Sequence, residues 1–173
     1  AVPLPAAIPA PAPPASVSAE TRIGRSVRGR PIVVRRVGSA SAPHKLLILG
    51  EIHGNELGGR PVVRALRRVR PPRGTQLLLV DDMNPDGARM HTRQNARGVD
   101  LNRNFPVGWK AAGGPFDTYY PGRWPLSEPE SAAIARFVRR ERPDVTIYYH
   151  QHLRLVDRAS GDPRLECLYA RRS

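Results

Sequence analysis

The sequence predicts an α/β domain built on a mixed, mainly parallel twisted sheet with helices on both faces. Three observations predict it. Short apolar runs at residues 45–50 and 76–82 end in glycine or carboxylates, as buried strands do. Apolar residues at helical spacing follow each run. A β-branched and aromatic run then returns at residues 145–149, completing an alternation of strands and helices.

The chain has 173 residues, 40% of them hydrophobic, which suits one domain with a modest core. Residues 1–20 are mostly Ala and Pro and carry one charge, so they read as a disordered or polyproline II tether before a domain spanning 21–173. An Ala-first, Pro-rich leader is what export processing leaves behind, so a secreted or cell-envelope location of bacterial type is expected. The first strand expected is 30–37, and a second occupies 45–50. Val62, Val63, Leu66 and Val69 then predict a helix within 57–69, which Pro71, Pro72 and Gly74 stop. The third strand, 76–82, runs into the turn sequence Asn84-Pro85-Asp86-Gly87. Ser127 and Glu130 stand at capping-box spacing before an apolar stripe of Ala133, Ile134, Phe137 and Val138, which predicts a helix reaching about Arg140. Residues 165–173 read as a helix interrupted midway, with no cap and no following strand.

Composition excludes several classes. Cys167 is the single cysteine and has no Cys/His pattern near it, which removes disulfide scaffolds, zinc fingers and dithiol redox sites. No uninterrupted apolar run reaches the roughly 18 residues of a membrane span. Neither phosphate-binding glycine motif nor a G-x-S-x-G elbow is present. The formal net charge of +13 comes from arginine, Lys45 and Lys110 apart. It predicts attraction to polyanions, with acidic wall polymer or an anionic membrane surface satisfying it as well as nucleic acid. No nucleic-acid motif accompanies the charge, so no specific nucleic-acid partner is expected.

The chemistry concentrates in two places. His53 and Glu56, directly after the 45–50 strand, have the i, i+3 spacing that puts side chains on one face of a helical turn. Imidazole nitrogen and carboxylate oxygen are zinc ligands, and a catalytic zinc takes three from the protein. His150 and His152, at the end of the last strand, both qualify as the third. Alone, a four-residue H-x-x-E pattern recurs by chance. The second block, Arg93 to Pro106, is dense in Arg and Asn, which tie loops together or clamp a carboxylate. Trp109, Tyr119, Tyr120 and Trp124 serve packing or line a pocket.

Taken in order, five motifs closely resemble the M14 zinc carboxypeptidases. They are Gly50-Glu51-Ile52-His53-Gly54-Asn55-Glu56; Asn84-Pro85-Asp86-Gly87; Arg93 through Gly98-Val99-Asp100-Leu101-Asn102-Arg103-Asn104-Phe105-Pro106; Ser127-Glu128-Pro129-Glu130; and Tyr149-His150. Residues 23–32 look most like the bacterial branch that includes murein-peptide amidases. The resemblance implies one zinc per chain held by His53, Glu56 and His150. It implies that Arg93 polarises the scissile carbonyl and that Asn102 with Arg103 grips the substrate's terminal carboxylate. His150 is preferred to His152 because it ends the apolar strand as the family's ligand does; His152 then supports a ligand from behind. His44 and His91 match no ligand position, and Asp100 is expected to orient its loop.

The implied activity is hydrolysis of the amide bond beside a C-terminal residue, on a peptide or a peptidoglycan stem peptide, by a monomer. The family's general-base glutamate matches no residue, since Asp157, Asp162 and Glu166 stand in no such context. The sheet and core are therefore expected to be incomplete at the C-terminus and marginally stable. The alternative is a catalytically incomplete homologue that binds zinc and peptide or wall polymer.

Overall fold

A computed structural model describes residues 17–151, residue 156 and residues 162–171. The strands are β1 (Val17–Arg25), β2 (Pro31–Val37), β3 (His44–Leu49), β4 (Thr75–Val80) and β5 (Val145–Tyr148). The helices are α1 (Gly59–Leu66), α2 (Pro85–Met90), α3 (Pro129–Glu141) and α4 (Pro163–Ala170). The strands form one sheet in the order β1-β2-β4-β3-β5. β3 runs parallel to β4 and to β5, whereas β1–β2 and β2–β4 are antiparallel. The sheet is thus evenly mixed rather than mainly parallel, because the Arg30–Val37 region joins β4 antiparallel.

The apolar runs alternate between two buried faces. Leu47, Leu49, Leu78 and Val80 point to one side with Ile32 and Val34, where Ala133, Ile134 and Phe137 of α3 cover them. Ile48, Leu77, Leu79 and Val37 point to the other, under Val63 of α1. Helices therefore do lie on both faces, and continuous Leu-rich strands are the sequence signature of that burial.

Five local expectations change. β1 reaches back to Val17, inside the stretch expected to be a tether, and residues 1–16 lie outside the described residues. α1 is shorter than predicted, and Val62 and Val69 are exposed, so only Val63 and Leu66 of the apolar set pack inward. Asn84-Pro85-Asp86-Gly87 opens a helix instead of forming an isolated turn: Asn84 caps α2 by accepting a hydrogen bond from the Gly87 N–H at 3.0 Å. The capping box at Ser127–Glu130 is absent. Glu128 occupies the N-cap without a side-chain cap bond, and Glu130 instead accepts from the Val27 N–H at 3.0 Å. Near the C-terminus, α4 does have a cap, Asp162, which accepts from the Arg164 N–H at 2.9 Å.

Candidate metal centre

β3 is the strand at which the chain order reverses, with β4 on one side and β5 on the other. Loops leaving the carboxyl ends of such neighbours diverge and open a crevice. Leu49 pairs with Tyr148, so the segments that follow β3 and β5 emerge side by side. The first brings His53 and Glu56, the second His150. These are the sequence-predicted ligands, and one ligand atom from each lies within 4.8 Å of the others.

The contacts are specific. His53 is buried, and its Nε2 lies 3.0 Å from Asp100 Oδ1. Its Nδ1 is 2.9 Å from Glu56 Oε1 yet makes no hydrogen bond. His150 Nδ1 lies 3.0 Å from Glu56 Oε2, which also accepts from the Gln151 N–H at 3.0 Å. Burial opposes charge on Glu56, but contacts with His150 and His53 outweigh it and hold this carboxyl well below the usual range. Burial likewise opposes a proton on His53, and the Asp100 and Glu56 carboxylates overcome it and raise the imidazole's pKa. A buried ring nitrogen without a hydrogen bond, facing an anionic carboxylate and a second imidazole, fits a bound cation. Two imidazoles and one carboxylate are a zinc donor set.

A second motif supports this loop from beneath. The Met83 N–H donates to Glu51 O at 3.2 Å, and Asn84 Nδ2 donates to Ile52 O at 3.3 Å. Gly54 lies so close to the Gly87 backbone that a Cβ at Gly54 would collide with it, and a Cβ at Gly87 would collide with the Asn84 side chain and Gln94 O. The His-Gly-Asn-Glu and Asn-Pro-Asp-Gly motifs are thus two halves of one packed unit. Beside them, burial and the neighbouring Asp82 push the Glu51 carboxyl up to about 8, against the pull of Arg60.

Asp100 does more than orient its loop. Its Oδ2 accepts from Arg93 Nη2 at 2.9 Å and from Nε at 3.1 Å, while Arg93 Nη1 stands 3.4 Å from Glu56 Oε1. Arg93 is therefore brought to the ligand group. Asn102 and Arg103 follow on a short 3-10 turn, Leu101–Arg103, that Asp100 caps. The Tyr119 ring meets both arginines, its centroid 5.4 Å from the Arg93 guanidinium carbon and 5.3 Å from that of Arg103. Sequence reasoning left Tyr119 undecided, and long-range contacts of this kind have no signal in residue spacing. Trp109 is a packing residue whose Nε1 donates to Pro121 O at 3.1 Å. His44 and His91 are exposed and take no part. His152 and Asp157 lie outside the described residues.

The family model of the zinc carboxypeptidases matches residues 14–156. The chain belongs to the M14 zinc carboxypeptidase family. Murein peptide amidase A of Escherichia coli K12 is 32% identical over 152 residues, which are 82% of this chain and 61% of that protein. Carboxypeptidase Z of Mus musculus is 31% identical over 159 residues, covering 68% of this chain and 24% of its own length. Among solved structures, murein-tripeptide amidase MpaA of Escherichia coli O157 superposes with a TM-score of 0.66 at 30% identity, over 79% of this chain and 62% of that one. Carboxypeptidase A of Helicoverpa armigera shares the fold, with a TM-score of 0.69 at 23% identity, over 80% of this chain and 42% of its own. This M14 chain thus spans less than two thirds of these relatives. No helix among its described residues is long and apolar enough to cross a membrane.

Proposed function

We propose that this chain carries the zinc site of a metallocarboxypeptidase that hydrolyses the amide bond beside a C-terminal residue, with a murein stem peptide as substrate in the cell envelope. The observation that carries the reading is the convergence of His53, Glu56 and His150 beside Arg93. Kinship with murein peptide amidases supports the choice of substrate.

His53, Glu56 and His150 would hold the zinc, which when bound supplies an acidified water and polarises a carbonyl. Arg93, oriented by Asp100, offers a fixed positive charge where the carbonyl oxygen becomes anionic. Asn102 and Arg103 hold the terminal carboxylate, which restricts cleavage to the bond next to the chain end. Among the described residues, the carboxylates touching the ligand group are Glu56 and Asp100, and both are engaged by the histidines and Arg93. Neither is assigned as general base. That observation favours a second reading, in which the chain retains zinc and peptide without turnover.

The test is zinc content together with chelator-sensitive release of the C-terminal residue from a murein tripeptide, in the native chain and in His53→Ala, Glu56→Ala and His150→Ala. Stoichiometric zinc and activity lost in all three variants is the expected result. Zinc without release selects the second reading, and no zinc in the native chain overturns both.

A further inference from the structure

A second cavity, of about 510 Å³, opens on the segment between the Arg93–Pro106 block and α3, and none of the three candidate metal ligands lines it. Its volume is within the range of small-molecule sites. Arg97, Tyr120, Arg123, Trp124, Ser127 and Glu128 contribute to its walls.

Its walls are preorganised. Buried Asn104 donates through Nδ2 to Pro121 O at 2.7 Å and to Ser127 Oγ at 2.9 Å, while its Oδ1 accepts from the Glu128 N–H at 3.2 Å. Gly122 sits at φ 84° against Asn104 and Ser127, where a side chain would not fit. Phe116 and Leu126 also hold positive φ, 72° and 58°, strain that a large L-residue keeps only where its surroundings fix it. Trp124 is nevertheless 58% exposed, with its carbonyl tied down and its indole face open.

The polar groups select an anion. Glu128 is buried and already accepts from Asn95 Nδ2 at 2.8 Å and from Ser127 Oγ at 2.9 Å. Arg97 reaches it only at 3.7 Å, and among the described residues the exposed Arg123 guanidinium has no carboxylate partner. Arg97, in a long ion pair with Glu128, and Arg123 thus both line the cavity beside one carboxylate already engaged by Asn95 and Ser127, and guanidinium pairs with carboxylate in bidentate fashion. Trp124 and Tyr120 also line the cavity, and an aromatic ring offers a flat apolar surface to the C–H face of a pyranose.

We propose that this cavity binds a sugar acid, a pyranose ring stacked on Trp124 with its carboxylate held by Arg97 and Arg123. The site is separate from the metal centre and its test does not depend on peptidase activity.

Titration calorimetry on the full chain tests it, with N-acetylmuramic acid, its methyl ester and inorganic phosphate as probes. The acid binds with a Kd on the order of 1 mM, and Arg123→Ala and Trp124→Ala each weaken it about tenfold. Trp124→Phe retains most of the affinity, and His53→Ala binds as the native chain does. Both Arg123 and Trp124 are exposed, so the variants keep the fold. Absence of binding, equal binding of acid and ester, equal binding of phosphate, or indifference to both alanine substitutions overturns the proposal.

Discussion

Asp100 Oδ1 lies 3.0 Å from His53 Nε2, and this contact leaves Nδ1 as the ring nitrogen facing Glu56. A carboxylate behind a ligating imidazole fixes its tautomer and raises its basicity, and losing such a partner costs about 10- to 100-fold in metal affinity. Asp100→Asn therefore weakens zinc by that factor, measured by competition with a chromogenic chelator. It also releases Arg93, whose Nη2 and Nε share the other oxygen of Asp100, so catalysis falls further than metal occupancy does. Native zinc affinity in Asp100→Asn would remove Asp100 from the site.

Gly54→Ala tests the contact between the ligand loop and the start of α2. The added methyl collides with the Gly87 backbone, which has no flexible end to yield. Overpacking against rigid backbone costs about 1–3 kcal/mol, so the urea midpoint falls and zinc is lost with it. A variant with native midpoint and native zinc contradicts the packing.

Much of this was legible in the sequence, and the rest failed for identifiable reasons. Buried strands announce themselves by continuous apolar runs, which is why β3 and β4 are legible in the sequence, whereas the half-buried β5 shows itself by its β-branched and aromatic residues. Spacing alone cannot tell a capping residue from a buried acceptor: Ser127 and Glu130 have the spacing of a cap, yet Glu130 accepts from Val27 and Asn95. Asp100 stands between the apolar Val99 and Leu101, both buried in the structure. Asp100 is itself fully buried, and a buried charge must be paired. The direction in which β2 pairs β4 has no local signature, which is why the sheet was expected to be mainly parallel.

Tyr119 contacts both Arg93 and Arg103, the groups proposed to act on the carbonyl and on the terminal carboxylate. If Arg103 binds only the carboxylate, Arg103→Ala raises KM and leaves kcat nearly unchanged. Losing a charge-assisted hydrogen bond of about 1.5–3 kcal/mol corresponds to roughly 10- to 150-fold. The same variant no longer distinguishes a peptide acid from its C-terminal amide. Arg93→Ala behaves differently, losing kcat, because its contact strengthens as charge develops. Steady-state kinetics with both peptides checks the division, and a kcat effect confined to Arg103 reverses it.

Acid stability provides a check on the far end of α3. Arg36 donates to Glu141 from Nη2 at 2.7 Å and from Nη1 at 3.2 Å, and Lys45 Nζ adds a contact at 3.1 Å. These cations, Arg36 foremost, hold the Glu141 carboxyl at about 2, against an ordinary value of 4.5. The folded value lies below the unfolded one, so the stabilisation is complete above pH 4.5 and is lost as pH falls through 2. The full gap corresponds to at most about 3 kcal/mol, and solvent around Arg36 and Lys45 reduces the expected contribution to about 1–2 kcal/mol. Glu141→Gln accordingly loses about that much stability near pH 7, and its deficit shrinks to less than about half near pH 3. Urea unfolding of both proteins at the two pH values measures the deficit. A deficit that stays constant with pH would mean that Glu141 contributes by packing, and that the ion pairs with Arg36 and Lys45 contribute little to holding α3 against the sheet.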